Sequence, residues 1–113
     1  MMLNANGVAE IIATYQKHGW LLRRVLLTKE SKNSLGPENR ALPSDTEIVD
    51  SPIDAAWFSR PPATGGVAWE IRYLGDVPFA LLEKVDENDP EFDKILSSVE
   101  LRLYEAVAAK KSA

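Results

Sequence analysis

The sequence predicts an α+β domain. A small, mostly antiparallel sheet of three or four strands carries an N-terminal and a C-terminal helix in two layers, in the order α-β-(β)-α-β-β-α. Three observations predict it. Apolar residues recur at helical spacing near both ends of the chain, residues 67–74 alternate with a period of two, and clusters of Gly, Pro, Ser and Asn separate the periodic segments. The 113 residues fit one domain, 1–113, and 45% hydrophobic with 27% charged residues is an ordinary globular balance.

The first element is an amphipathic helix over 5–18. Val8, Ile11, Ile12 and Tyr15 line one face, Asn4 or Asn6 can cap the start, and Gly19 can supply the left-handed residue that ends it. Lys17 and His18 then sit in the last turn, where positive charge suits the helix dipole. Trp20 to Leu27 (WLLRRVLL) is too short and too abruptly bounded for a second helix and reads as a strand. Simple alternation puts Trp20, Leu22, Arg24 and Leu26 on one face and Leu21, Arg23, Val25 and Leu27 on the other. Apolar groups on both faces imply an inner strand with one arginine on each side.

Residues 28–47 are polar, charged and broken by Gly36-Pro37 and Pro43, so the sequence predicts a long mobile loop there, anchored at most by Leu35 and Leu42. Ile48-Val49 form a short strand. Ser51-Pro52-Ile53-Asp54 has the residue order of a helix start, which predicts a short helix through AAWFS to Ser59, stopped by Arg60-Pro61-Pro62. Thr64-Gly65-Gly66 is a flexible link.

Residues 67–85 predict a β-hairpin. Val67, Trp69, Ile71 and Tyr73 alternate with Ala68, Glu70, Arg72 and Leu74. Two connections compete. Gly75-Asp76 suits a two-residue type II′ turn, which sets Phe79, Leu81 and Val85 on the face of Glu70 and Arg72. A three- or five-residue loop instead gathers the large apolar groups on one face. The last element is a helix capped by Asp89, opened by Pro90 and reaching Lys110. Phe92, Ile95, Leu96, Val99, Leu103, Ala106 and Val107 make its apolar stripe, and Leu101 and Tyr104 lie off that stripe. That surplus marks a second contact surface.

Composition removes several chemistries. With no cysteine there is no disulfide, thiolate metal site or cysteine nucleophile, and a single histidine, His18, rules out any site built on two histidines of one chain. The lack of cysteine and the polar residues among the first twenty predict a cytoplasmic protein, and no run approaches the roughly 18 apolar residues of a membrane span. Residues 1–44 carry six Lys/Arg against three Asp/Glu, and residues 45–113 carry seven against fourteen. The acidic excess argues against a nucleic-acid partner.

The candidate sites follow. Glu83 to Asp93 holds six carboxylates but lacks the glycine of a calcium loop, and Pro90 takes a ligand position, so no metal site is expected. Trp57 and Arg60 are candidates for a pocket, with an aromatic at its mouth, Arg60 as an anion clamp and the 28–47 loop as a lid. Trp69, Arg72 and Tyr73 have the residue types that stack exposed bases, without the accompanying basic loops or RNP1 pattern. No nucleophile elbow, phosphate loop or dinucleotide fingerprint occurs, and no cofactor is implied. The expectation is a binding or protein-interaction module that acts as a homodimer through Leu101 and Tyr104. The alternative is a small-molecule or anion-binding protein, or an enzyme, with its pocket at Trp57, Arg60 and the 67–85 hairpin.

Overall fold

The computed structural model describes residues 5–35, 46–60, 67–75 and 79–112. The predicted breaks at Gly36-Pro37 and Pro43, the Thr64-Gly65-Gly66 link and residue Asp76 of the predicted turn lie outside them. Eight elements follow in order: α1 (Ala5–Lys17), β1 (Leu21–Leu27), α2 (Lys29–Leu35), β2 (Glu47–Asp50), β3 (Ala55–Arg60), β4 (Val67–Tyr73), β5 (Ala80–Val85) and α3 (Phe92–Ser112). The strands form one sheet in the order β2-β1-β3-β4-β5, antiparallel except for the β1–β2 pair.

The α+β class is as the sequence predicts, with five strands rather than three or four. The terminal helices lie on opposite faces of the sheet, so the predicted two layers become three. Val8 and Ile12 of α1 pack with Trp20, Val25, Leu27, Ala56 and Phe58. Leu96, Val99, Leu103 and Val107 of α3 pack with Leu26, Ala55, Trp57, Trp69, Ile71 and Tyr73.

α1 ends as its sequence dictates. Gly19 has φ +87°, Gly19 N–H donates to Gln16 O at 3.1 Å and Trp20 N–H donates to Tyr15 O at 3.0 Å. This is a Schellman cap, and the Tyr15 and Trp20 rings meet edge to face at 6.1 Å across it.

The fifth strand comes from the segment predicted as a short helix. Ala55 to Ser59 are five consecutive buried residues, none more than 2% exposed. A lone short helix always leaves one side to solvent. A central strand covered on both faces buries every residue, and Trp57 and Phe58 then point to opposite layers. Burial of large apolar groups, about 1.5–3 kcal/mol for a side chain such as Phe58, outweighs the local helix-start signal. Ser51 still makes a local turn, its Oγ accepting from Ile53 N–H at 3.3 Å.

β1 corrects a second expectation. Leu22 pairs with Phe58 but Arg24 pairs with Trp57, so Arg23 is an extra residue, a β-bulge. The bulge resets the alternation and puts both arginines on the α3 face. Trp20 and Leu22 then share the α1 face with Val25 and Leu27.

The predicted 28–47 loop contains α2, whose seven residues begin directly after β1. Thr28 Oγ1 accepts from Ser31 N–H at 3.2 Å, a helix N-cap, and Ser31 is buried. In the hairpin, Ile71 faces Leu81, Trp69 faces Glu83, and Tyr73 N–H donates to Phe79 O at 2.8 Å. This register is one residue off that of a two-residue turn at Gly75-Asp76, and it gathers Trp69, Ile71, Tyr73, Leu81 and Val85 on the α3 face. The two-residue turn is therefore not formed. A Cβ at Gly75 would overlap the Tyr73 ring, which would have to shift.

Candidate functional site

α1 covers the β1–β3 half of one face, and α3 lies chiefly over β4 and β5 on the other. On the α3 face a cavity opens beside α3, over the ends of β1 and β2. Leu26 and Val49, neighbours across the parallel pair, form its floor. The connection 51–54 closes one end, and the outer flank of α3 makes the wall with Glu100, Leu101 and Tyr104 around a cavity of about 220 Å³. A cavity of about 520 Å³ adjoins it, sharing Ser51, Pro52, Ile53 and Tyr104 and reaching Thr28, Lys29, Tyr73 and Val107. The two share lining residues and make one groove past the C-terminal ends of β1 and β2.

The groove's end wall is rigid for a local reason. Asp54, just before β3, accepts from Thr28 N–H at 2.8 Å and from Ser31 Oγ at 2.7 Å. One carboxylate thus fixes the 51–54 connection to the start of α2. Its negative charge also lies beside the helix's unsatisfied N–H groups. Apolar Ile53 and Val107 and the polar Lys29, Glu30 and Ser51 line the same space, the mixed character of a binding surface.

Leu101 is 57% exposed and Tyr104 41% exposed, as their position off the α3 stripe predicts. Of the other sequence candidates, only Tyr73 reaches the same groove. Trp57 is fully buried on the α3 face and donates its indole N–H to Glu100 Oε2 at 2.7 Å. Arg60 ends β3 on the α1 face, its guanidinium over the Trp20 ring at 4.7 Å and 3.4 Å from His18 O. Trp57 and Arg60 therefore point to opposite layers of the sheet. Trp69 is buried beneath α3, Tyr73 is buried there with an edge on the larger cavity beside Tyr104, and Arg72 lies on the α1 face beside Tyr15.

The acidic segment is taken up by structure. Glu83 pairs with Arg102, Glu87 with Arg23 and Asp93 with Arg24, while Asp86 and Asp89 carboxylates accept from Asn88 and Glu91 N–H. No group of three or more metal-ligating side chains occurs among the described residues. Arg23 holds Glu87 below the usual carboxylate range by a bidentate hydrogen bond at 2.8 Å. On the α1 face, the Tyr15 phenol donates to Glu70, and burial first, then Glu70, pushes its pKa well up. Ser59 is buried and accepts from Arg23 at 3.0 Å, Asp54 anchors α2, and His18 follows the end of α1. They lie at separate places in the fold.

Sequence reasoning missed the groove because Leu26, Val49 and Ile53 belong to three different elements. The Thr28 and Ser31 spacing, with Glu30 between, was the available signal for α2. No helix among the described residues is long and apolar enough to cross a membrane. No family model matches the chain, and no curated protein or solved structure matches it either.

Proposed function

We propose that the protein is a binding module that acts as a homodimer and takes a small ligand in the groove between the 51–54 connection and α3. The observation that carries this reading is the placement of Leu101 and Tyr104, two exposed large apolar groups on the wall of a concave surface. The adjoining cavity of about 520 Å³ is of ligand size. The absence of cysteine supports a reducing compartment such as the cytoplasm.

The test is a titration of isotopically labelled protein with a mixture of small aromatic and aliphatic fragments. The reading expects chemical-shift changes confined to Ile53, Tyr73, Leu101 and Tyr104, lost in Leu101→Glu without a change in subunit number. Changes elsewhere, or none, would overturn it.

A second reading uses the same flank. Ser97, Leu101, Tyr104 and Ala108 are all exposed and follow the 4-3-4 spacing of a helix-pairing stripe, so α3 could meet its counterpart in a second chain. Under that reading Leu101→Glu disperses the dimer, which a light-scattering mass determines directly.

A further inference from the structure

We infer that the second copy pairs along the open edge of β5, making one continuous ten-stranded sheet and leaving the Leu101–Tyr104 groove free. The inference rests on the homodimer reading and assigns the surface.

β5 is an edge strand of six residues, and no strand lies beyond it among the described residues. Its hydrogen-bond parity follows from the Tyr73–Phe79 bond and the regular register. Leu81, Glu83 and Val85 turn their backbone groups to β4, so Ala80, Leu82 and Lys84 turn theirs outward. An edge of this kind is a template for another strand. The opposite edge, β2, has four residues with Glu47 and Asp50 at its ends, and is the poorer template.

Side chains select a single way to use the β5 edge. Leu82 is 63% exposed at the middle of the strand, on the α1 face of the sheet. A two-fold axis perpendicular to the sheet can set Leu82 against Leu82 of the second copy. Ala80 then faces Lys84, Leu81 faces Glu83, and every outward N–H and C=O of the three outward residues is paired. No like charges are directly opposed. A shift by two residues one way sets Glu83 against Glu83. The other way pairs only residues 80–82 of β5 with one another and leaves the outward backbone of Lys84 outside the strand pairing. The edge is thus complementary to itself in one register, and an isologous pairing of this kind closes as a dimer.

Amide hydrogen exchange combined with sedimentation, on wild type and Leu82→Lys at about 50 μM, tests the inference. The expected wild type is a dimer in which the Ala80, Leu82 and Lys84 amides exchange at least about tenfold more slowly than in Leu82→Lys. The variant sets two lysines face to face and is expected to be monomeric, with Leu81, Glu83 and Val85 still protected by β4. Retained protection of these three shows that the variant is folded. A monomeric wild type would overturn both the homodimer reading and this inference. A dimer that survives Leu82→Lys, or dissociates with Leu101→Glu instead, would overturn this inference and leave the homodimer reading standing.

Discussion

Trp57 donates its indole N–H to Glu100 Oε2 at 2.7 Å, fixing the middle strand of the sheet to α3. Arg24 lies 3.6 Å from the same oxygen, so the carboxylate is shared between sheet donors. Trp69, on the neighbouring strand and equally buried, has an indole N–H with no hydrogen-bond partner among the described residues. Two buried tryptophans in one cluster thus differ in polar satisfaction.

Phenylalanine replacement separates them. Trp57→Phe leaves the Glu100 carboxylate with one partner fewer in a mostly buried position. It is expected to cost about 1–2 kcal/mol more than Trp69→Phe, which removes an N–H that was unsatisfied. Urea unfolding of the two variants checks the difference, and equal losses would show that the Trp57–Glu100 bond contributes little.

Asp54 supports the end wall of the groove through α2. Asp54→Ala removes two hydrogen bonds, one of them from the buried Ser31 hydroxyl, and is expected to destabilise by about 2–3 kcal/mol. Ser31→Ala leaves the half-buried Asp54 carboxylate its Thr28 N–H bond and access to water, and should cost less. Fluorescence-monitored unfolding of both single variants and the double variant gives their coupling.

The Arg23–Glu87 pair predicts a specific acid dependence. Glu87 is held below its ordinary value of 4.5, chiefly by the Arg23 hydrogen bond. Its contribution is fully present above that ordinary value and is lost as pH falls through the lower folded value. Both side chains are substantially exposed, so solvent screening limits the pair to about 0–1 kcal/mol. A carboxyl-carbon NMR titration should show Glu87 protonating at lower pH than an exposed glutamate, and Arg23→Ala should remove the difference.

Tyr15 predicts the alkaline side. Its phenol is stabilised in the neutral form by burial and by the Glu70 carboxylate. That stability is fully present below the ordinary value of 10.0 and is lost as pH rises through the higher folded value. Spectrophotometric titration should find one tyrosine resisting ionisation until the fold is lost. In Tyr15→Phe that late step should be absent, while the stacking on Phe58, with centroids 4.0 Å apart, is kept.

Local signals read the terminal helices well. Gly19 and the Asp89-Pro90 pair are stop and start marks with mechanisms of their own, and α1 and α3 lie where those marks predict. β3 was hidden because Ser51-Pro52-Ile53-Asp54 resembles a helix start, while the force that makes 55–60 a strand is burial between two layers not adjacent in sequence. The bulge at Arg23 was hidden for a related reason. Its position is set by pairing with β3, and one inserted residue changes which side chains share a face. Leu101 and Tyr104 were legible as surplus because helix periodicity is local. The groove beside them was not, since 51–54 reaches it only through the assembled sheet.

Native mass spectrometry of gently purified protein tests the central claim, a homodimeric binding module, most directly. The account predicts a species at twice the 12.5 kDa chain mass that carries, or takes up from added fragments, a small ligand. A bare single chain that takes up none would contradict it.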